Sequence, residues 1–586
     1  MEIRKWDLGI LYNSFDSEEF QTDLKSTNNI IEKMNSFKSR FTDTSQEATL
    51  TEYLETIVES RSLLLKLASY CNLTLATDAT NVDAMKYINV IQKKFTEMTE
   101  VYTLADKWIS ELDLESMKSD LIKEHAFYLN EVKDHSKYNL DEKTELLLSK
   151  LRADGSTAWG RLQGLLTSML DVDIEINGEK KVLTLSEVRN LAYDQSSEIR
   201  KIAYEAELES YKKVENSIST ALNAIKGEVN TLTELRGYDS PLHKSLVDSR
   251  LQKETLEAMI NAIKEYLPHF RKYLKRKAKL LNHKTGLPFY DLFAPIGSSA
   301  KEFSIEDAEK YVFDNFNSFS PNMSKLAQRA FDEKWIDYTP RKGKRGGAFC
   351  SNMHYLKQSR VMTNFTGSFS DVLTLAHELG HAYHGDCIFA ESMLNSRYTM
   401  PVAETASIMA ETIVMRSALS DATKEEQIYL LESSLQDSTQ VIVDILSRYI
   451  FEDSVFNGRK DTVLNPKQLN ELMIKAQNES YGDGLDKDFL HPYMWLCKGH
   501  YYSGNLSFYN FPYAFGLLFA KGLYSQYLEK GESFVGQFDE LLRLTGQKTV
   551  EQAAQFVDID VTSIEFWRNS LEIIKTDIDK FIELTE

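Results

Sequence analysis

Apolar residues recur along this chain at helical spacing from its first quarter onward. Leu54, Ile57, Val58, Leu64, Leu65 and Ala68 stand three, four or seven positions apart, which places them on one stripe of an amphipathic helix. Leu256, Met259, Ile260, Ile263 and Leu267 repeat the pattern, and Pro268 is expected to end that helix. The basic run from Arg271 to Lys279 reads as the solvated face of another amphipathic helix, with Leu274, Ala278 and Leu281 turned inward.

Two stretches break the helical pattern. Ile174-Glu175-Ile176 and Val182-Leu183-Thr184-Leu185 alternate around Asn177-Gly178, the strongest short-range signal for a β-hairpin. This hairpin predicts a seam between an N-terminal helical lobe (1–185) and a catalytic helical region (186–586). Further on, Gly346 to Cys350 and Arg360 to Phe365 read as two short strands leading into another helix. No fixed-period repeat or low-complexity tract interrupts the chain, and the fold class expected is mainly α.

Composition agrees with long helices. Of 586 residues only 25 are glycine and 10 proline, well below the roughly 12% of an average globular chain. The 30 Phe and 29 Tyr predict thick cores, aromatic-lined cavities, or both. A net charge of −20 argues against nucleic acid as a partner, because phosphate binding needs a basic face. Cys71, Cys350, Cys387 and Cys497 lie far apart with no CxxC pair, so free thiols in a reducing compartment are expected. The opening segment MEIRKWDLGILYNSF lacks a continuous apolar run, and no stretch nears about 18 consecutive apolar residues. These features predict a cytoplasmic protein with no membrane partner.

The chemistry concentrates in DVLTLAHELGHAYH, Asp371 to His384. On a helix His377 and His381 lie about 40° apart and one turn along the axis, so both imidazoles can hold one ion. Glu378 projects about 60° to the side of His381, placed to take a proton from water without binding the ion. Ser368 and Asp371 form the S-x-x-D capping box that starts such a helix.

A catalytic zinc site needs a third protein ligand and an open position. Pro401 suits a helix start, which puts Glu404 in the first turn of an apolar, small-residue helix where a carboxylate needs a partner. Glu411, seven residues on, is either an acceptor for a histidine N–H or a plain surface glutamate. His384 lies two turns beyond His377, too far to join both histidines on one ion. It takes a hydrogen-bonding or substrate-side role, or simply packs.

The segments GKRGGAFC (Gly343 to Cys350), DVLTLAHELGHAYH and ETAS (Glu404 to Ser407) resemble the oligoendopeptidase F family, in the thimet oligopeptidase and neurolysin group of zinc peptidases. The likeness runs from about residue 190 to the C-terminus and, more weakly, over the N-terminal helices. It implies two helical lobes enclosing a deep substrate channel, one zinc ion at its floor, and a small β-sheet beside the metal-binding helix. It also implies an edge strand, here Gly347-Ala348-Phe349, that pairs with the backbone of oligopeptide substrates; strand addition binds extended peptides whatever their side chains.

A second cluster, His500-Tyr501-Tyr502 and Phe508-Tyr509 with Phe511 and Tyr513, contains donors for the oxyanion that peptide hydrolysis creates. In the family a histidine followed by tyrosines does this, and His500 and Tyr509 look like the matching positions. Extra residues between Tyr502 and Phe508 depart from the family spacing, leaving the oxyanion hydroxyl open among Tyr502, Tyr509 and Tyr513. Tyr513 is also expected to line the substrate site. Tyr481-Gly482-Asp483-Gly484 reads either as a loop that moves over substrate or as a surface turn.

Overall fold

The computed structural model describes residues 4–43, 45–297 and 301–586, without the side chain of Glu142; the first three residues of the opening segment lie outside the described residues. Helices dominate, as the periodicity predicts, and two small sheets interrupt them. The longest helix, Gln46–Thr77, buries Leu54, Ile57, Leu64 and Ala68. Leu65 departs from the expected stripe and is 40% exposed, because it lies about 100° around the helix from Leu64. No helix among the described residues is long and apolar enough to cross a membrane.

Pro268 does not end its helix, which runs unbroken from Lys253 to Leu280. An interior proline costs about 3 kcal/mol. Phe270, Tyr273 and Leu274 beyond it are buried, and each large apolar side chain contributes roughly 1.5–3 kcal/mol on burial, so packing outweighs the lost bond. Tyr273 meets Phe581 of the C-terminal helix Ile564–Thr585 edge-on at 5.6 Å. The basic run is only partly solvated. Lys277 is fully buried, with Nζ 2.5 Å from Glu432 Oε1 and 2.8 Å from the Leu292 carbonyl.

Strands β1 (Asp171–Ile176) and β2 (Glu179–Thr184) form the predicted antiparallel hairpin. Asn177 (φ 55°) and Gly178 (φ 80°) supply the two left-handed residues of its two-residue turn. Val172 and Ile174 pack into the larger of two hydrophobic cores, which gathers buried residues from Leu170 to Phe581. The smaller core takes residues from Trp6 to Leu129 and reaches across to Met353, Met362 and Leu394.

The second sheet has the order β3-β5-β4, from Ile336–Asp337, Gln358–Met362 and Phe349–Met353. β3 runs parallel to β5, and β4 antiparallel to it, which leaves β4 at the edge. β4 lies against the helix Phe369–Ile388: a Cβ on Gly385 would stand 2.5 Å from the Asn352 side chain, and Asn352 Nδ2 donates to the His381 carbonyl at 3.1 Å. The sheet therefore stands directly beside the histidine motif.

Candidate active site

The helix Phe369–Ile388 starts at the expected capping box, with the Ser368 hydroxyl on the Asp371 N–H and the Asp371 carboxylate on the Ser368 N–H. It presents His377 and His381 on one side, their Nε2 atoms 3.1 Å apart. Glu404 Oε2 completes a triangle, 3.3 Å from His377 Nε2 and 3.4 Å from His381 Nε2. A tetrahedral ion bonded at about 2.0–2.1 Å sets its ligands about 3.3 Å apart, so the donor set fits such an ion closely. Among the described residues it is the one His/Cys/Asp/Glu group whose atoms converge in this way.

Glu404 does not sit inside a continuous helix. A short turn, Met400–Ala403, ends at it, and Glu404 (φ −89°, ψ 4°) then caps the helix Thr405–Asp421. The break turns the carboxylate toward the histidines, and Ser407 Oγ donates to its Oε2 at 2.8 Å. His377 Nδ1 lies 2.5 Å from Glu411 Oε1. With that proton given to Glu411, the Nε2 lone pair faces the centre of the triangle. Of the alternatives for Glu411, the histidine acceptor is the one its position matches.

Two glycines permit these approaches. A Cβ on Gly380 would fall 2.5 Å from the Ser407 Cα, and one on Gly516 would fall 2.9 Å from the Glu404 Cβ. Gly516 belongs to the helix Phe511–Lys530, which closes the site from a third direction. Sequence reasoning missed Gly380, Ser407 and Gly516, although a glycine amid the motif and another within an apolar helix were the available signals.

Glu378 is 6% exposed and makes no hydrogen bond among the described residues. Burial pushes its carboxyl up to about 7, with the Glu404 and Glu411 charges adding to the rise and His377 opposing it. A carboxyl near neutrality beside a metal-ligand triangle is suited to taking up and releasing a proton.

His500 stacks on Tyr509 with ring centres 5.0 Å apart, and Tyr513 donates to the Tyr509 hydroxyl at 3.4 Å. Tyr513 stands one turn before Gly516, on the face that meets Glu404. Burial, Tyr509 and the Glu404 charge together raise the Tyr513 hydroxyl above its ordinary pKa. Phe508 is held at φ 53°, a strained value for an aromatic residue, and its N–H donates to the buried Glu452 carboxylate at 3.1 Å. Glu452 pairs with the equally buried Lys226 at 2.6 Å, so an ion pair fixes the backbone that carries Tyr509.

Other expectations meet a different arrangement. Tyr502 is no oxyanion donor here: its buried hydroxyl is spent on the Trp495 carbonyl at 3.1 Å. His384 offers no face to substrate, being fully buried and stacked on Tyr398 at 4.1 Å. The Thr545 hydroxyl donates to the Leu542 carbonyl, so His384 Nε2–H donates to Thr545 Oγ1 at 2.8 Å, and burial holds the ring neutral, down at about 3. The edge strand begins only at Phe349. Gly347 is left-handed (φ 80°) with its carbonyl taken by Asn364 at 2.8 Å, and Ala348 lies outside the strand. The segment Tyr481 to Gly484 is a packed turn, tied down by Lys275 on Asp483 and by Arg271 on the Glu479 carbonyl.

A cavity of about 690 Å³ opens beside this cluster. Arg61, Tyr102 and Tyr128 of the N-terminal helices line one side; Tyr398, Met400 and Tyr509 line the other.

Comparison with known proteins bears on these residues. Residues 190–573 match the model of peptidase family M3, and residues 109–171 match that of oligopeptidase F. The chain is 21% identical to the oligopeptidase PepF of Bacillus subtilis over 602 residues, covering 100% of this chain and 88% of that protein. It is 24% identical to an oligoendopeptidase F homolog of Borreliella burgdorferi, covering 99% and 98%. The fold matches that of oligoendopeptidase-F from Enterococcus faecium, with TM-score 0.69 at 17% identity over 97% of this chain and 99% of that one. A match of this extent, on a chain whose His-Glu-x-x-His helix and glutamate converge, places it in peptidase family M3 as a metalloendopeptidase of the oligoendopeptidase F family.

Proposed function

We propose that the protein is a zinc-dependent endopeptidase that hydrolyses internal bonds of short, unstructured oligopeptides. The convergence of His377, His381 and Glu404 at 3.1–3.4 Å carries this reading, because two imidazoles and a carboxylate at that spacing suit one zinc ion. Bound there, zinc supplies the Lewis acidity that lowers the pKa of water and polarises a carbonyl.

Glu378 takes the proton of the attacking water and passes it to the leaving amine. Its burial and lack of side-chain hydrogen bonds among the described residues leave both carboxylate oxygens free for this. His500, Tyr509 and Tyr513 donate to the oxyanion, preorganised by ring stacking and the Tyr509–Tyr513 hydrogen bond. The edge strand β4 offers unpaired backbone groups to an extended peptide, with Phe349 at its entrance. The cavity lined by Arg61, Tyr102, Tyr128, Tyr398 and Tyr509 takes the peptide. Four unpaired cysteines support a cytoplasmic setting.

Cleavage of an end-blocked, internally quenched peptide before and after chelation and zinc return tests the reading. Internal cutting lost on chelation and restored by zinc is expected. No cutting by protein with stoichiometric zinc would overturn it.

A further inference from the structure

A smaller cavity, of about 330 Å³, opens between the helix Gln46–Thr77 and the edge strand β4. Ser69, Asn72 and Ala76 of the helix line one side, Phe349 and Ser351 of β4 the other, with Arg345 from the loop before the strand. No carboxylate lines it among the described residues, and the Arg345 guanidinium forms no ion pair or hydrogen bond among them. The charges nearest in sequence are already matched. Arg341 and Lys344 both pair with Asp337 at 2.6 Å, and Asp78 accepts from the Thr80 hydroxyl at 2.7 Å. The Arg345 backbone is held on both sides, its N–H donating to the Ala76 carbonyl at 2.8 Å and its carbonyl accepting from Asn364 Nδ2 at 3.0 Å. The Asn72 amide and the Ser351 hydroxyl likewise have no side-chain hydrogen bond among the described residues.

The register of the sheet decides which peptide residue meets this pocket. Val361 and Thr363 donate their N–H groups to the Trp335 and Asp337 carbonyls, each at 3.0 Å. Arg360 and Met362 therefore turn their backbone groups to β4, opposite Ser351 and Phe349. That leaves the N–H and C=O groups of Cys350 and Asn352 at the open edge. The side chains of β4 alternate as well. Asn352 reaches the metal-binding helix at the His381 carbonyl, whereas Met353 is buried in the smaller core and Phe349 meets Trp6 edge-on at 6.3 Å. Ser351 shares the face of Phe349 and Met353. A peptide strand added to this edge puts its residue opposite Ser351 on that same face, with Cβ atoms about 4.5–5.5 Å apart. Its side chain then enters the pocket, while the residues on either side of it point toward the metal-binding helix.

We propose that this pocket is a subsite for an acidic side chain, in which Arg345, with Asn72 and Ser351, selects a carboxylate at one position of the bound peptide. This rests on the peptidase reading and on strand addition within it, and deepens both. Backbone pairing ignores side chains, but an unneutralised guanidinium beside an amide and a hydroxyl favours a carboxylate. The net charge of −20 repels acidic peptides as a whole, so a preference of this kind has to come from a local cation.

Quenched peptides identical but for one residue, set in turn to glutamate, glutamine or lysine at each position flanking the cut, test the proposal. At one position glutamate is expected to exceed glutamine in kcat/KM by roughly 3- to 10-fold, with lysine below both; this lies between an exposed ion pair and a sheltered charge-assisted hydrogen bond. The positions on either side of it should show no such preference. In Arg345→Met the ratio should fall to about 1 with the glutamine peptide cut as before, and Arg345→Lys should keep part of it, thermal melts confirming that both fold. Equal cleavage of glutamate and glutamine peptides at every position by the wild type overturns the subsite and leaves the peptidase reading intact. So does a preference that survives Arg345→Met, or a loss in that variant shared equally by both peptides. If the zinc-loaded protein cuts no peptide of the set, the peptidase reading fails. Fluorescence anisotropy of the labelled peptides on Glu378→Gln protein then decides the subsite separately: tighter glutamate binding that a further Arg345→Met change abolishes supports it, and equal binding overturns it.

Discussion

Gly380 lies so close to Ser407 that a Cβ on it would stand 2.5 Å from the Ser407 Cα and 2.7 Å from the Ala406 carbonyl oxygen. Neither neighbour is a flexible side-chain end, so the helices themselves must part to admit a methyl group. One of them carries His377 and His381, and the other begins at Glu404. Gly380→Ala should therefore weaken zinc binding at least tenfold and cost about 1–3 kcal/mol through overpacking. Zinc content after dialysis and the melting temperature together check this; normal values of both would show that the approach does not set the site.

Glu411 accepts from His377 Nδ1 at 2.5 Å and touches none of the other ligands by hydrogen bond. Loss of such a partner typically lowers metal affinity 10- to 100-fold. Glu411→Ala is expected to show that loss in chelator competition, while saturating zinc restores much of the activity. Affinity equal to wild type would make Glu411 a bystander.

Glu378 stands beside the ligands without belonging to them. Glu378→Gln should retain stoichiometric zinc and lose roughly 10²- to 10⁴-fold in kcat, the usual range for general acid–base catalysis. A near-normal rate in a zinc-loaded variant would remove Glu378 from the base role.

The three tyrosines differ in where their hydroxyls go. Tyr502→Phe strands the Trp495 carbonyl and should cost about 1–3 kcal/mol of stability with little change in kcat. Tyr509→Phe or Tyr513→Phe should lower kcat by roughly 10²- to 10³-fold at near-normal stability. Parallel melts and turnover numbers separate the cases, and the reverse pattern would restore Tyr502 as the donor.

Glu207 supplies a pH dependence away from the metal centre. Burial pushes its carboxyl up, but His491, Arg189 and the Tyr211 hydroxyl outweigh this and hold it at about 2, against an ordinary 4.5. A depressed acid stabilises the fold above its unfolded pKa and loses that contribution as pH falls through the folded value. The advantage of wild type over Glu207→Gln should thus be greatest above pH 4.5 and shrink toward pH 2, by on the order of 3 kcal/mol. Urea unfolding at several pH values measures it, and a constant gap would contradict the assignment.

Features confined to one element were legible in the amino-acid sequence by itself. Helical periodicity sets the angle between His377, Glu378 and His381, Ser368 caps their own helix, and Asn177-Gly178 dictates its hairpin turn, because local backbone geometry settles each of these. The helix start at Pro401 singled out Glu404 as well, and family likeness extended the reading to His500. What lay between elements was decided only by tertiary structure. Pro268 is tolerated because the residues beyond it are buried, Lys277 is drawn inside by Glu432, and His384 is walled off by Tyr398. Tyr502 and Tyr509 look alike in sequence, yet one hydroxyl is consumed by a carbonyl seven residues upstream while the other faces Tyr513. The hairpin joins the larger core for the same reason: burial depends on which distant side chains meet a surface, and no local pattern encodes that meeting.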